Sequence, residues 1–398
     1  MTDVVTAWTD DEGAAHARAL FAEMFPDHRP DGVWSAPGRV NLIGEHTDYN
    51  GGLALPIALP HRTYVALRRR DDGAIRLISG RESGAWETSL DQIDPGAVSG
   101  WGAYPAGVAW ALEQLGHAVG GFDAAVASCV PYGSGLSSSA ALECAFAVAF
   151  AAAPGWTGPD AATDQGRVQL VTACIRAENE IAGANTGGMD QAASLRSQEG
   201  HALLLDCRDG SIRHIPFDLA AAGLELLVID TKAEHSHVDG QYAQRRATCE
   251  AAAQTLEVAT LREISPDRLD GALAALQTDE ARKRVRHVVT EIGRVKQFVE
   301  LLDSGRVREV GPLMDASHAS LAEDYEVSCA ELDVAVTAAR AAGALGARMT
   351  GGGFGGSAIA LIEAGTSTQV SAAVKLAFTE AGFGAPAFLT AIASRPAH

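Results

Sequence analysis

Residues 37–52, with the sequence PGRVNLIGEHTDYNGG, are the most informative stretch of this 398-residue chain. This segment combines a fixed cation, Arg39, with the carboxylates Glu45 and Asp48 and the imidazole of His46. Four glycines interrupt it, so we expect a turn rather than a regular element. So many polar groups are costly to bury without partners, and a polyhydroxylated ligand such as a sugar would supply them. A solvated, charged surface turn is the alternative.

A second segment, residues 131–141 with the sequence PYGSGLSSSAA, lies between a strand-like run (122–130) and a helical run (138–153). Backbone N–H groups at a helix N-terminus, reached through a loop rich in glycine, form an anion site. Serine hydroxyls there can cap the helix or reach a phosphate-bound metal. No Gly-Lys-Ser/Thr follows, so the loop is not of the Walker type. A Gly/Ser turn that caps an ordinary helix is the alternative.

The third segment is residues 349–357, MTGGGFGGS, which lies between two apolar runs. Its glycines weaken any regular element, and such a cost is usually retained where backbone must approach something closely. A flexible hairpin loop is the alternative.

Together the three segments resemble the GHMP small-molecule kinases, and residues 38–52 are similar to the signature of the galactokinase branch at essentially every position. The motifs stand in family order and spacing from residue 37 to residue 357, so the resemblance covers nearly the whole chain. It implies an α+β, two-lobed fold with a ribosomal-S5-like N-terminal lobe, a ferredoxin-like C-terminal lobe and the active site between them. From the order of elements we expect the lobes to be residues 1–206 and 207–398.

Composition limits the functions that remain. A net charge of −19 argues against nucleic acid or an anionic membrane as a partner. The N-terminus lacks the pattern of a signal peptide, and the longest apolar stretch, 140–154, is interrupted by Glu143 and too short to span a bilayer. The six cysteines have no zinc or C-x-x-C spacing. We therefore expect a cytoplasmic protein. We also expect a monomer.

Two carboxylates outside the three segments are candidate site residues. A helix is predicted over 164–181, and Glu178 lies on its apolar face between Ile175 and Ile181. A carboxylate there needs a cation or strong donors, unless it lies at the edge of that face and reaches solvent. Asp190 follows a glycine turn in the sequence GGMDQ, where an Asp usually complements a helix dipole.

The resemblance implies roles for these residues. Asp190 is implied to accept the proton of the sugar C1 hydroxyl as its oxygen attacks the γ-phosphorus, and Arg39 to stabilise Asp190 and the transferred phosphoryl group. Ser139 and Glu178 are implied to hold Mg²⁺ on the nucleotide phosphates. The nucleotide would lie on residues Gly133, Ser134, Gly135, Leu136, Ser137, Ser138, Ser139 and Ala140. Sugar hydroxyls would contact Glu45, His46, Asp48, Gly187 and Tyr242.

The activity implied is ATP-dependent phosphorylation of D-galactose at C1, which gives α-D-galactose 1-phosphate and ADP. A kinase for a related sugar, such as N-acetylgalactosamine or L-arabinose, is an alternative, as is a non-catalytic sugar and ATP sensor. Presence of Arg39, Ser139, Glu178 and Asp190 together disfavours the sensor. Glu234 stands where some family members carry a basic residue, and His235 and His237 are left without a role.

Overall fold

A computed structural model describes residues 4–153, 155–184, 186–233 and 238–398 of the protein. The strands are β1 (Gly32–Asn41), β2 (Leu53–Ala54), β3 (Pro56–Arg69), β4 (Ala74–Ser79), β5 (Trp86–Ser89), β6 (Phe122–Ser128), β7 (His201–Asp206), β8 (Ser211–Pro216), β9 (Leu224–Asp230), β10 (Gly346–Thr350), β11 (Ser357–Glu363) and β12 (Ala387–Ala391). The helices are α1 (Asp10–Met24), α2 (Ala103–Gln114), α3 (Ser138–Ala151), α4 (Asp164–Arg176), α5 (Met189–Arg196), α6 (Val238–Thr255), α7 (Leu269–Ala275), α8 (Asp279–Asp303), α9 (Gly311–Ser320), α10 (Ala330–Ala341) and α11 (Ser367–Ala381). Among these helices, none has the length and apolar character that crossing a membrane requires.

The first sheet has the strand order β1-β3-β6-β4-β5. β1 and β3 pair antiparallel, and their register shifts between Pro37 and Arg39. A bulge of this kind bends a strand and turns a side chain in a new direction. The expectation of one turn over residues 37–52 was therefore wrong for its first five residues, which belong to β1. β3 continues through Pro60, because this residue lies opposite the bulge, where no ladder hydrogen bond is needed.

Helices cover both faces of this sheet. α2, α3 and α4 pack together on one face, around a core that includes Phe122, Phe146 and Phe150. α1 and the residue that follows it cover the other face, through Phe21 and Phe25. Both faces are thereby removed from water, which is the usual condition for a stable layered domain.

The second sheet has the order β10-β11-β9-β12 and is antiparallel throughout. β2, β7 and β8 form a small third sheet. One hydrophobic core runs from Val40 and Leu42 at the end of β1 to Ile229 of β9 and Leu361 of β11. Buried contacts thus continue across residue 206. The lobe boundaries of 1–206 and 207–398 stay a prediction.

The two ends of the described chain cross over between the large sheets. Val4 forms a bridge with Phe388 of β12, while His398 exchanges two backbone hydrogen bonds with Ser35 of β1 (2.8 and 2.9 Å). Each sheet is therefore extended by a segment that is distant in sequence.

Arg62 holds the C-terminal crossing in place. Its buried guanidinium donates to the carbonyls of Arg395 (3.0 Å) and Pro396 (2.8 Å), to the carbonyl and hydroxyl of Ser35 (3.2 and 2.9 Å) and to Nδ1 of His398 (2.9 Å). Burial lowers the pKa of Arg62 to about 10, so it remains a cation at neutral pH.

We predict that Arg62→Met lowers the free energy of unfolding by at least about 3 kcal/mol, because each buried acceptor left unpaired costs about 1–3 kcal/mol. Thermal unfolding monitored by circular dichroism measures the loss. Arg213→Met, which removes an exposed ion pair with Asp303, is the matched control and should cost at most about 1 kcal/mol. Equal shifts in the two variants would contradict the role given to Arg62.

Candidate active site

A cavity of about 160 Å³ lies where the loop after β1, the N-terminus of α5, α6 and the turn after β10 meet. Its volume limits its occupant to a small molecule. It is lined by Arg39, Glu45, His46, Asp48, Thr186, Gly187, Gly188, Met189, Asp190, Tyr242, Gly351 and Gly352. The structure thus brings together the residues predicted from the sequence to be catalytic or to contact the sugar, which come from three separate parts of the chain.

Arg39 and Asp190 form a bidentate ion pair at one wall of the cavity. Nε and Nη2 of Arg39 donate to the two carboxylate oxygens of Asp190, at 2.7 and 2.8 Å. Nη1 donates to the carbonyl of Gly135 at 2.6 Å. Burial alone would lower the pKa of Arg39, but the charges of Asp190 and Glu45 outweigh burial and raise it. A permanent cation therefore lies beside a carboxylate that still faces the cavity.

Ser137 also donates its hydroxyl to Asp190. This was not predicted: we expected the serines of this loop to cap the helix or reach a metal. Ser137 has a left-handed backbone (φ 58°) and gives α3 no side-chain cap. The side chain of Ser137 therefore does not occupy the backbone N–H groups in the first turn of α3. An anion site at a helix N-terminus requires such N–H groups to be available.

The glycine-rich turn after β10 packs backbone to backbone against the loop before α3. A Cβ at Gly351 would lie 2.9 Å from the carbonyl oxygen of Gly135, and one at Gly356 would lie 3.1 Å from that of Ser134. Ser357 adds a hydrogen bond from its hydroxyl to the carbonyl of Ser134 (2.7 Å). The expected close approach of backbone is confirmed, and its partner is the candidate phosphate loop.

Glu45 joins this glycine turn to the end of β1. Its buried carboxylate accepts from the Asn41 amide (2.9 Å) and the Gly351 backbone N–H (2.7 Å), and Arg348 lies 3.6 Å away. Burial raises the pKa of Glu45, while Arg348 and Arg39 oppose that shift.

His46 is a neutral imidazole with both ring nitrogens engaged. Nδ1 lies 2.9 Å from the hydroxyl of Tyr49, and Nε2 lies 3.2 Å from the carbonyl of Gly352. Because a carbonyl only accepts, we assign the proton to Nε2 and let Tyr49 donate to Nδ1. Burial and the nearby His287 lower the pKa of His46 to about 3. His46 therefore anchors the glycine turn without adding charge to the cavity.

Asp48 packs directly against Gly187 at the wall of the cavity. A Cβ at Gly187 would lie 2.0 Å from Oδ2 of Asp48, so only glycine fits there. Burial, followed by the charge of Asp190, raises the pKa of Asp48 to about 6. The ring of Tyr242 lies 5.5 Å from those of His46 and Tyr49 and closes the opposite side.

Glu178 lies in a turn of π-helix, Ala177–Ile181, that follows α4. Its Oε1 accepts from the hydroxyl of Ser139 (2.9 Å), and its Oε2 accepts from Thr186 (2.8 Å) and Gln191 (2.5 Å). Burial and Asp190 raise the pKa of Glu178. The prediction that Glu178 lies on the buried face is confirmed, and its contact with Ser139 is also present.

Thr186 and Gln191 were not predicted from the sequence, although Gln191 directly follows Asp190. Glu143 was noted only as an interruption of an apolar run, yet such an interruption is itself a signal of a buried polar contact. Glu234, His235 and His237 lie outside the described residues.

Three family models match the chain. Residues 19–69 match the galactokinase galactose-binding signature, residues 103–198 the N-terminal domain of GHMP kinases and residues 298–380 their C-terminal domain.

Individual relatives agree with these matches. The galactokinase of Streptomyces coelicolor is 50% identical over 381 residues, which are 94% of this chain and 95% of the relative. That of Bos taurus is 42% identical and covers 89% of this chain and 90% of its own length. The crystal structure of Lactococcus lactis galactokinase complexed with galactose has a TM-score of 0.89 and 32% identity, and covers 96% of this chain and 98% of its own.

The fold is that of a GHMP kinase, as the sequence resemblance implied. Within that class the chain belongs to the galactokinase family. It is a sugar kinase that transfers phosphate from ATP to a sugar hydroxyl.

Proposed function

We propose that the protein phosphorylates the C1 hydroxyl of D-galactose with ATP and releases α-D-galactose 1-phosphate and ADP. The observation that carries the proposal is the Arg39–Asp190 pair, which lies between the cavity and the loop before α3. A sugar hydroxyl bound in the cavity would lie beside the carboxylate of Asp190. A phosphoryl group bound at the loop would lie beside the guanidinium of Arg39, which pairs with that carboxylate. Phosphoryl transfer asks a protein mainly for this kind of positioning and charge stabilisation.

In the proposed reaction the C1 oxygen forms a bond to the γ-phosphorus as the bond to the ADP oxygen breaks. Asp190 accepts the proton of the hydroxyl, and Ser137 and Arg39 keep its carboxylate fixed in orientation. Arg39 also offsets the negative charge that spreads over the transferred group.

The nucleotide phosphates would lie on residues 133–140. Two glycines there have left-handed backbones, Gly133 at φ 67° and Gly135 at φ 72°, so the loop turns sharply into α3. Backbone amides at the start of a helix attract anions. Such a local partial positive charge is needed here, because the chain as a whole carries a net charge of −19 and would repel phosphates.

Ser139 and Glu178 are the proposed Mg²⁺ ligands. Among the described residues, Glu178 is a nearly buried carboxylate with neutral donors and no ion-pair partner, so its charge fits a cation. Groups of three or more metal-binding side chains are absent from the described chain. This suits Mg²⁺, which usually keeps waters and takes one or two protein ligands beside substrate phosphates. When bound, the ion would neutralise phosphate charge.

Glu45, His46, Asp48, Gly187 and Tyr242 are the proposed sugar contacts. Asp48 can accept from two adjacent hydroxyls, and the missing Cβ of Gly187 leaves space for its carboxylate. Galactose differs from glucose at C4, so a carboxylate that pairs with the C3 and C4 hydroxyls would discriminate between them.

We also propose that the protein works as a monomer in the cytoplasm. The six cysteines are all free thiols, as is usual in a reducing compartment.

We predict that Asp190→Asn lowers kcat for galactose by at least about a hundredfold, since general bases contribute about 10²–10⁴. Galactose binding, measured by calorimetry without ATP, should persist because the amide keeps the shape of the side chain. Asp303→Asn, in an exposed ion pair, is the control and should keep the wild-type rate. If kcat of Asp190→Asn stayed within about tenfold of wild type, a barrier increase of at most about 1.4 kcal/mol, the assignment of Asp190 as the proton acceptor would be wrong.

A pH dependence follows from Asp48. Its pKa of about 6 means that the free protein protonates this group as pH falls through 6, so the acceptor for sugar hydroxyls is lost. The dissociation constant for galactose should rise below pH 6, approaching about tenfold per pH unit. Asp48→Asn should bind weakly at every pH and show no such rise. Wild-type affinity that stays flat from neutral pH to well below 6 would refute the role.

A further inference from the structure

Two fully buried polar side chains, Glu143 of α3 and Gln191 of α5, lie behind Glu178. Nε2 of Gln191 donates to Oε2 of Glu178 at 2.5 Å and to Oε2 of Glu143 at 3.0 Å. One amide therefore bridges two carboxyl groups that belong to different helical segments.

The orientation of this amide is set by its neighbours. A carboxylate only accepts, and an amide nitrogen carries two N–H donors, one for each carboxyl group. The reverse orientation would place the amide oxygen against the carboxylate of Glu178, so we assign the nitrogen to this position.

Glu143 acts here as a neutral acceptor. Its Oε1 has no hydrogen-bond partner within the described chain, and its only donor at Oε2 is an uncharged amide. An ionised carboxylate in such a place would be very costly. Burial, with the charge of Glu178 in addition, raises the pKa of Glu143 well above its ordinary value.

The hydrogen bond from Gln191 helps to fix which carboxylate oxygen of Glu178 points toward the loop before α3. Gln191 and Thr186 both donate to Oε2, whereas Ser139 donates to Oε1. Oε1 is therefore the oxygen that lies beside Ser139, and rotation of the carboxylate would break two hydrogen bonds in the interior.

We propose that Gln191 and Glu143 are positioning residues for the metal site: Gln191 fixes the carboxylate of Glu178, and Glu143 fixes Gln191. This inference rests on the proposed Mg²⁺ site of Ser139 and Glu178. Outer partners of metal ligands typically contribute about 10–100-fold to metal affinity.

The test measures binding of Mn²⁺, as a spectroscopic probe for Mg²⁺, to the full-length protein with ADP by electron paramagnetic resonance. Gln191→Leu and Glu143→Leu should weaken Mn²⁺ binding by about 10–100-fold and raise the Mg²⁺ requirement of the kinase reaction to match. Glu143→Gln keeps a neutral acceptor of the same shape and should bind Mn²⁺ as the wild type does. Galactose binding without metal, measured by calorimetry, should be unchanged in all three.

Wild-type Mn²⁺ affinity in Gln191→Leu would overturn the proposal, as would equal affinities in Glu143→Leu and Glu143→Gln. So would an equal loss of galactose affinity, since that indicates general damage. Should Glu143→Leu fail to fold, Gln191→Asn, which is too short to reach both carboxyl groups, should show the same weakened Mn²⁺ binding. Glu178→Gln distinguishes failure of the metal site from failure of the positioning role. Unchanged Mn²⁺ binding in Glu178→Gln refutes the metal site itself. Weakened binding in Glu178→Gln together with wild-type binding in Gln191→Leu refutes only the positioning role.

Discussion

The site depends on the guanidinium of Arg39 being buried with its donors paired. A cation removed from water is tolerated only when its N–H groups find acceptors, and this one finds the Asp190 carboxylate and the Gly135 carbonyl. One side chain thereby fixes the end of β1, the loop before α3 and the first turn of α5 relative to one another. The bulge between Pro37 and Arg39 is the local feature that turns the side chain toward this meeting point.

The same loop after β1 is held from the C-terminal half of the chain. Glu291 of α8 accepts from the backbone N–H of Gly44 (2.9 Å), and Nε2 of His287 lies 3.1 Å from the carbonyl of Glu45. Burial lowers the pKa of His287 to about 4, so it is a neutral donor. The glycine turn beyond β10 adds the backbone contact with Gly135. The cavity therefore exists only where both large sheets are in place, which explains why its lining extends in sequence from Arg39 to Gly352.

The fold and part of the cavity lining followed from the sequence, because the motifs are local and specific enough to show the family resemblance. The lining residue Thr186 was not predicted. The apolar spacing around Glu178 predicted its burial, and the glycines of residues 351–356 predicted a close backbone approach. The hydrogen-bond partners of these residues could not be predicted from the sequence. Ser137 was expected at a helix cap or a metal, yet it donates to Asp190 across 53 residues. The end of β1 was expected to be a turn, because a Pro and a Gly interrupt its pattern and only its pairing with β3 identifies it as a strand. Contacts set by tertiary packing leave little trace in local sequence.

The most direct test of the central claim is the kcat of Arg39→Lys with galactose and saturating ATP. Lysine keeps the charge but has no planar fork, so it cannot pair with both oxygens of Asp190 and with the Gly135 carbonyl at once. If Arg39 organises the site through this geometry, kcat should fall by at least about a hundredfold, the cost of roughly 2.7 kcal/mol of lost positioning. The affinity for galactose without ATP should change far less. A kcat within about tenfold of wild type would show that charge alone suffices, and would contradict the account.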